Sequence, residues 1–388
     1  MPTPADDDLS VERLTAKATR IAGVGDGGAG AAAPALELLV GSCRRTAALN
    51  PLGRKVLASA VVRHLVNRLL VGAETAARPD VAAGPVGAAV VVTGLPRTGT
   101  TMLHNLLALD PSHRVVRLWQ ALHPVPPDPA RGESEGELVR QAATWLERLY
   151  AAVPCFRSIH GATPDGPEEC DALLQNDFAS QHFDDMFDAE EYSAWLATAS
   201  LRQEYESYAR QLALLVRPDD GATTWALKSP SHLGHLDDLL TVSPQATIVH
   251  CHRHPSEAVP SYASLVLCLR RAYSDDVSAA TVGRQASARS VVALDRALDV
   301  RERAPANFVD VAYADLVRRP VATVAELYEQ LGRPFPAPVS TAMARWVTDH
   351  PQHQHGVHRY SAEDFGLSAG VVAGQFERYL EQFADTVR

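Results

Sequence analysis

Apolar residues recur at three- and four-residue spacing over much of the first 73 positions, a period that is typical of amphipathic helices. The segments that carry this pattern are LSVERLTAKATRIAGV, ALELLVGSCRRTAAL and GRKVLASAVVRHLVNRLLVGAE. A Gly-Ala-rich stretch, GVGDGGAGAAAPA, separates the first from the second. The pattern therefore predicts an N-terminal helical segment over residues 1–84.

The pattern changes at VGAAVVVTG, a continuous apolar run that is typical of a strand buried on both faces of a parallel sheet. TTWALKSP, ATIVHCHRHP and NFVDVAYADLV predict three more strands, with helical patterns such as LGHLDDLLTVSP beside them. This alternation predicts an α/β domain over residues 85–388, in which a short parallel sheet is flanked by helices. Within it, residues 120–225 are predicted to be mainly helical and to form an acceptor pocket, and residues 350–388 form a C-terminal tail.

The turn between the first strand and its helix, GLPRTGTT, has the spacing of a phosphate-binding loop. The form that binds ATP or GTP is GxxxxGK[ST], and Gly94 and Gly99 keep its spacing. Thr100 occupies the lysine position, however, and Thr101 the Ser/Thr position. Backbone N–H groups and a helix N-terminus still favour an anion here, and Arg97 adds a cation. Because the lysine that contacts the β- and γ-phosphates is missing, the loop favours an anion other than a nucleoside triphosphate.

Composition limits the classes of partner. The 388-residue chain has a formal net charge of −10, whereas a protein that wraps nucleic acid needs a basic surface. The five cysteines are scattered without a CxxC pair, which predicts reduced thiols in a cytoplasmic protein. The acidic start MPTPADDDLS lacks an apolar signal core, and no apolar run approaches the length of a membrane span.

GLPRTGTT resembles the 5′-phosphosulfate loop of sulfotransferases that use 3′-phosphoadenosine 5′-phosphosulfate. The stretches TTWALKSPSHLGHLDDLL, HRHPSEAV, VAYADLVRRP and HRYSAEDFGL resemble the broad bacterial branch of that family. The resemblance begins near Pro85 and implies a three-layer fold like that of P-loop NTPases. It also implies transfer of a sulfonyl group from this donor to a small-molecule alcohol or phenol. Five loop residues would then cradle the 5′-phosphate and the sulfonate: Arg97, Thr98, Gly99, Thr100 and Thr101.

A donor with a 3′-phosphate needs a second anion site, and HCHRHPSEAVPSYASL supplies one at the end of a predicted strand. Sulfotransferases hold the 3′-phosphate with an Arg and a Ser at the spacing of Arg253 and Ser261, so the resemblance implies that role for both. An arginine fork and a serine hydroxyl suit phosphate oxygens. The tail of the family implies a further contact from Arg359. Many members stack Trp on adenine at the position of Met102.

The chemistry is expected near LKSPSH, just past a strand end. Cytosolic sulfotransferases have a Lys and a His near this point, at shorter spacing. The resemblance implies Lys228 near the bridging oxygen and His232 as the base that removes the acceptor proton. Glu168 and Glu169 in PDGPEEC are the alternative bases. Relatives often have Glu where this chain has Gln120, and glutamine accepts no proton at neutral pH.

No metal is expected to take part in this reaction. The tail contains four histidines, at positions 350, 353, 355 and 358, but no matching cysteine or close carboxylate pair. Two other functions stay open. One is a small-molecule kinase on the same fold, against which the missing loop lysine argues, and the other is a non-catalytic nucleotide-binding protein that has lost its base. The sequence identifies neither the acceptor nor the oligomeric state.

Overall fold

A five-stranded parallel sheet forms the centre of the α/β region. The computed structural model of the protein describes residues 8–24, 32–84, 86–159, 161–217, 221–351 and 361–387. The strand order is β2-β3-β1-β4-β5. The strands are β1 (Ala88–Gly94), β2 (His113–Arg114), β3 (Thr224–Lys228), β4 (Thr247–His252) and β5 (Phe308–Ala312). All four pairings are parallel, so the carboxyl ends of the strands share one edge.

The valine-rich strand β1 lies in the middle of the sheet and is buried on both faces. Because successive side chains of a strand point to opposite faces, Val90 and Val92 join one apolar cluster and Ala89 and Val91 join another. The first cluster includes Leu103 and lies under helices that follow β1 and β5 in the chain. The sheet is therefore the middle layer of three, as the sequence predicted.

Within the described part of residues 1–87, four helices precede the sheet: α1 (Val11–Ala22), α2 (Ala33–Thr46), α3 (Pro51–Ala77) and α4 (Pro79–Ala82). The long helix α3 buries Leu57, Val61, Leu65 and Leu69, whose four-residue spacing gives one apolar face. On length and composition alone α3 also meets the requirement for a membrane span, contrary to the expectation that no apolar run approaches that length. Core helices of non-membrane proteins meet the same requirement, so this finding is weak evidence.

The remaining helices surround the sheet. Those between β1 and β3 are α5 (Thr100–Leu107), α6 (Leu118–Leu122), α7 (Glu135–Ala152), α8 (Phe156–Ile159), α9 (Asp171–Leu174), α10 (Gln181–Met186), α11 (Glu190–Thr198) and α12 (Arg202–Leu214). Those after β3 are α13 (Leu236–Val242), α14 (Pro255–Tyr273), α15 (Ala279–Arg303), α16 (Tyr313–Arg318), α17 (Pro320–Gln330), α18 (Ala337–Asp349), α19 (Ala369–Gln375) and α20 (Glu377–Phe383). Helices therefore occupy much of residues 120–225, and the acceptor pocket expected there stays a prediction.

The cysteines correct one expectation. Cys155 and Cys268 form a disulfide, with Cα atoms 6.4 Å apart and 113 positions apart in sequence, so the prediction of five reduced thiols is wrong for this pair. The other three, Cys43, Cys170 and Cys251, are free and buried. Scattered positions in a sequence give no signal for such a long-range pair, because only the fold brings the two residues into bonding distance.

Gly53 is expected to be essential for the docking of α3 on α14. A Cβ atom at this position would lie 2.0 Å from the carbonyl oxygen of Tyr273, so Gly53→Ala must displace backbone. We expect the substitution to lower the free energy of unfolding by about 2–3 kcal/mol, the cost of overpacking, as measured by urea denaturation.

Gly136→Ala is the matched control for this substitution. Gly136 is also helical, but no atom lies within 4 Å of the position its Cβ would take. Alanine there should stabilise the helix by about 0.5 kcal/mol. Equal effects of the two substitutions would contradict the close packing of α3 against α14.

Candidate active site

The loop after β1 turns sharply because three of its residues take positive φ values: Gly94 at 148°, Arg97 at 74° and Gly99 at 87°. A Cβ atom at Gly94 would lie 2.4 Å from the carbonyl oxygen of Cys251, and one at Gly99 would lie 3.0 Å from the Tyr313 ring. Glycine is therefore required at both positions by close approach as well as by backbone conformation. Arg97 is a non-glycine residue in the left-handed region, which is a kind of strain that is common at binding sites.

The helix α5 begins directly after this loop. Its N-cap residue, Gly99, has no side chain with which to accept hydrogen bonds from the first N–H groups of the helix. These groups and the helix dipole therefore favour an anion in the loop. The hydroxyl of Thr98 donates to the carbonyl oxygen of Leu95 at 2.7 Å and is buried. Thr98 thus fixes the shape of the loop through its side chain.

The structure brings together three of the residues expected to hold phosphates. Arg97 Nε donates to Ser261 Oγ at 3.3 Å, and Arg97 Nη1 donates to the carbonyl oxygen of Ile159 at 3.2 Å. Arg253 Nη1 donates to the carbonyl oxygen of Arg97 at 3.0 Å. Two guanidinium groups and a hydroxyl therefore meet where β1 and β4 end. This local positive cluster lies in a protein with a net charge of −10.

Two side chains that the sequence did not single out hold Arg253 in place. Glu257 Oε2 accepts a hydrogen bond from Arg253 Nε at 3.0 Å. The guanidinium carbon also lies 4.4 Å from the centroid of the Tyr313 ring, a cation–π arrangement. Tyr313 begins α16 directly after β5, and its position immediately after a predicted strand is the signal that would have identified it.

Lys228 ends β3, and its ammonium group is buried, with 2% of the side chain exposed. Its Nζ donates to Glu169 Oε1 at 2.6 Å and to Thr101 Oγ1 at 3.4 Å. Lys228 therefore joins the first turn of α5 to the segment before α9. The side chain of Glu169 is 31% exposed, so its carboxylate is reachable by a molecule that approaches from solvent.

His232 occupies a different environment from the one expected of a base. It lies in the 3₁₀ helix Pro230–His235 and is fully buried. Tyr205 Oη lies 2.7 Å from its Nδ1, and Cys170 Sγ lies 3.1 Å from its Nε2. Burial lowers the pKa of His232 to about 3, so the ring is neutral at ordinary pH. With both nitrogens occupied, the geometry argues against proton removal from an acceptor by His232.

His232 instead supports the Lys228 backbone through Cys170. The Cys170 N–H and thiol both donate to the carbonyl oxygen of Lys228, at 3.0 and 3.3 Å. Burial raises the pKa of the Cys170 thiol to about 12, so the group stays protonated and can donate. The chain from Tyr205 through His232 and Cys170 therefore fixes the end of β3 next to Glu169.

The other polar candidates have structural partners. Glu168 Oε1 accepts a hydrogen bond from the N–H of Glu169 at 2.8 Å, and the Glu168 N–H donates to the carbonyl oxygen of Val116 at 2.8 Å. Gln120 Oε1 accepts from the N–H of Arg117 at 3.0 Å and so caps the start of α6. Of the two adjacent glutamates, Glu169 is the one that contacts Lys228.

The tail residues lie largely outside the part of the chain that the structure describes. Arg359, His353, His355 and His358 fall among residues 352–360, so their predicted roles stay predictions. His350 is described, and its ring stacks on Trp346 with centroids 4.5 Å apart.

One group of described histidine and carboxylate side chains lies close enough to share a cation: His250, His252 and Asp310, with ligand atoms within 4.8 Å. Arg301 binds both oxygens of this carboxylate, at 2.7 and 2.5 Å, and His252 Nε2 lies 2.9 Å from Oδ1. The guanidinium group therefore already supplies the positive charge that Asp310 needs.

Comparison with known proteins identifies the same region. The family model described as the sulfotransferase family matches residues 89–337, which span the sheet and the loop after β1. The omega-hydroxy-beta-dihydromenaquinone-9 sulfotransferase Stf3 of Mycobacterium bovis is 25% identical over 283 residues, 71% of this chain and 70% of the relative. The Mycobacterium tuberculosis protein of the same name matches to the same extent.

Solved structures, among them two from mycobacteria, resemble nearly the whole chain. Sulfotransferase STF9 from Mycobacterium avium is 28% identical, with a TM-score of 0.82, and the match covers 97% of both chains. Sulfotransferase STF1 from Mycobacterium tuberculosis H37Rv is 29% identical, with a TM-score of 0.78, and the match covers 95% of this chain and 98% of that one. The match therefore includes the N-terminal helices as well as the sheet.

The burial of a neutral His232 predicts a pH-dependent effect of His232→Gln. Folding lowers the pKa of His232 from 6.5 to about 3. The neutral ring therefore contributes fully to the free energy of unfolding above pH 6.5, and this contribution is lost as the pH falls from 6.5 towards 3. Between pH 7 and pH 5 this loss is about 2 kcal/mol. Glutamine does not titrate, so the destabilisation that His232→Gln causes should be about 2 kcal/mol smaller at pH 5, as measured by urea unfolding.

Tyr205→Phe is the control for this titration. It removes the hydroxyl that contacts His232 Nδ1 but keeps the buried imidazole, so its destabilisation should not decrease in the same way at pH 5. A difference between wild type and His232→Gln that is constant with pH would show that the ring is not held neutral.

Proposed function

We propose a donor, an acceptor class and a base for this chain from the premise that it belongs to the sulfotransferase family. A sulfonyl group is transferred from 3′-phosphoadenosine 5′-phosphosulfate to a hydroxyl group of a small-molecule alcohol or phenol. The observation that carries the proposal is the position of the Lys228 ammonium group, 3.4 Å from Thr101 Oγ1 in the loop and 2.6 Å from Glu169 Oε1.

The loop after β1 would hold the 5′-phosphosulfate. This assignment is supported by the N-terminus of α5, which has no side-chain cap, and by the positive φ values that shape residues 94–99. Arg253 and Ser261 would hold the 3′-phosphate, and their support is the cluster they form with Arg97. An Arg fork recognises phosphate oxygens in two places at once, which fixes orientation as well as affinity.

Lys228 and Glu169 would carry out the chemistry. Sulfonyl transfer, like phosphoryl transfer, depends mainly on positioning and on stabilising the charge that develops on the leaving oxygen. An ammonium group between the loop and the acceptor side is suited to that task. A carboxylate accepts a proton from the acceptor hydroxyl if it lies within hydrogen-bond reach. We therefore assign the base to Glu169 in preference to His232, because Glu169 is partly exposed and His232 is enclosed.

A hydroxyl acceptor is supported by the relatives. The printed name of Stf3 describes a sulfotransferase for a hydroxylated menaquinone, a lipid-like quinone. At 25% identity the shared feature is the reaction at a hydroxyl group rather than the acceptor itself. We propose an alcohol or phenol on these grounds.

Binding of the donor product provides the first test. We expect 3′-phosphoadenosine 5′-phosphate to raise the melting temperature of wild type, because a ligand that binds only the folded state stabilises it by about 2.7 kcal/mol at 100 times its Kd. ATP and ADP should raise it far less. Arg253→Ala should weaken binding of the bisphosphate by about 10- to 100-fold, as expected when a hydrogen bond to a charged group is lost.

Arg345→Ala is the matched control, since Arg345 is an exposed arginine on α18 with 84% of its side chain accessible. Its affinity for the bisphosphate should equal that of wild type. A larger response to ATP than to the bisphosphate would favour the kinase alternative, and no response to either would remove the proposed donor site.

Glu169→Gln tests the base. The substitution keeps the size of the side chain but removes its capacity to accept a proton, so the transfer rate should fall by about 10²- to 10⁴-fold. Affinity for the bisphosphate should equal or exceed that of wild type, because Glu169 competes for Lys228 and does not contact the proposed 3′-phosphate site. The measurement uses radiolabelled donor and the alcohol or phenol that wild type converts fastest in a panel.

Glu168→Gln is the control for the adjacent carboxylate and should retain most of the activity. Full activity of Glu169→Gln would contradict the assignment of the base. Donor binding without transfer to any acceptor by wild type would favour the non-catalytic alternative.

A further inference from the structure

The disulfide Cys155–Cys268 is the cysteine site that solvent can reach. Cys155 is exposed and Cys268 is partly exposed, whereas the three free cysteines are buried. Exchange of a disulfide with an external thiol requires access to one of its sulfurs, so this bond is open to reduction in the folded protein.

The disulfide lies close in the fold to the proposed donor site. Cys268 and Ser261 are both on α14, seven positions and so about two helical turns apart. Cys155 directly precedes α8, the single helical turn Phe156–Ile159. The disulfide therefore fastens the start of α8 to the helix that carries the proposed 3′-phosphate ligand.

Arg97 connects the other end of α8 to the same helix. Its Nη1 donates to the carbonyl oxygen of Ile159 at 3.2 Å, while its Nε donates to Ser261 Oγ at 3.3 Å. The short helix is thus attached at one end by a covalent bond and at the other by the arginine of the loop. A covalent change at Cys155 has a direct structural route to a residue that would contact the donor.

We propose that Cys155 and Cys268 form a reversible redox site that reacts with external thiols and disulfides. When oxidised, the pair holds α8 against α14 and thereby slows dissociation of the bound nucleotide. The identity of the nucleotide rests on the proposed function, but the tether itself does not. In an oxidising compartment α8 stays fastened, and in a reducing one it is released.

The chemistry is thiol–disulfide exchange. One thiolate of a dithiol attacks a sulfur of the pair, forms a mixed disulfide and releases the other cysteine as a thiolate, which takes a proton from water. The second thiol of the reductant then attacks the mixed disulfide, which frees the second cysteine and leaves the reductant as a cyclic disulfide. In the opposite direction glutathione disulfide accepts the two electrons and yields two molecules of glutathione.

Besides the disulfide, non-covalent packing against α14 and the main apolar cluster holds α8. A single turn is not stable by itself, because the first hydrogen-bonded turn fixes several residues for little gain. Phe156 packs on the main apolar cluster only as a partly buried residue, and the Arg157 guanidinium carbon lies 5.5 Å from the centroid of the Tyr150 ring. A single turn at the surface opens at a lower free energy once its covalent tie is lost.

The test compares one protein in two redox states. After treatment with glutathione disulfide or with dithiothreitol, alkylation and mass spectrometry should find Cys155 and Cys268 blocked in the first state and labelled in the second. Cys43, Cys170 and Cys251 should be labelled only after unfolding, because they are buried. We expect the dissociation rate of 3′-phosphoadenosine 5′-phosphate to rise by about five-fold on reduction, since an ordered segment is released.

Variants separate the tether from general effects of the reductant. Cys155→Ser and Cys268→Ser should each give the fast dissociation rate in both states. Cys43→Ala lacks one buried thiol but keeps the pair, so it should respond to reduction as wild type does. Equal dissociation rates for oxidised and reduced wild type would overturn the proposal, as would a labelled pair in the oxidised protein.

Amide hydrogen exchange tests the tether without relying on the binding of a nucleotide. Amides of Phe156–Ile159 should exchange faster in the reduced protein, whether or not a nucleotide is present. If the bisphosphate binds neither state, the proposed donor fails while faster exchange still supports the tether. If exchange in this segment is the same in both states, the tether fails whatever the nucleotide does.

Discussion

An ammonium group that is taken out of water must keep a partner, and this requirement ties the candidate active site together at Lys228. Only 2% of its side chain is exposed, and Glu169 supplies the opposite charge at 2.6 Å. Thr101 adds an acceptor at 3.4 Å. The end of β3, the start of α5 and the segment before α9 are therefore held in one arrangement. These segments are far apart in sequence, so the site exists only when the parallel sheet has formed.

The cations near the loop all have partners within the protein. Arg253 contacts Glu257, Arg97 contacts Ser261, and Lys228 contacts Glu169. A phosphosulfate carries more negative charge than a hydroxyl or a carbonyl oxygen and competes well for such donors. In the proposed reaction Lys228 transfers its contact from Glu169 to the bridging oxygen. The carboxylate is then available to the acceptor hydroxyl only after the donor has bound, which couples the order of binding to the chemistry.

The sequence predicted best those features whose signals lie in consecutive residues. The apolar run of β1, its glycines and the helix after it are local signals, and so is the strand end at Arg253. Their meeting follows from parallel strands, whose carboxyl ends share one edge. The choice of base is not local. His232 is enclosed by Tyr205 and Cys170, which lie 27 and 62 positions away, and no spacing in LKSPSH indicates that packing. The disulfide escaped prediction for the same reason, since its loop spans 113 positions.

The order of the strands separates two tasks on either side of β1. On the β3 side lies the Lys228–Glu169 pair, to which we assign the transfer step. On the β4 side lie Arg253 and Ser261, to which we assign the 3′-phosphate of the nucleotide, and α14 continues from there to the disulfide. Arg97 is the link, because it belongs to the loop after β1 but contacts α14 and α8. A change at the proposed tether would therefore act on the proposed nucleotide side of the loop, while the Lys228–Glu169 pair keeps its own support through Cys170.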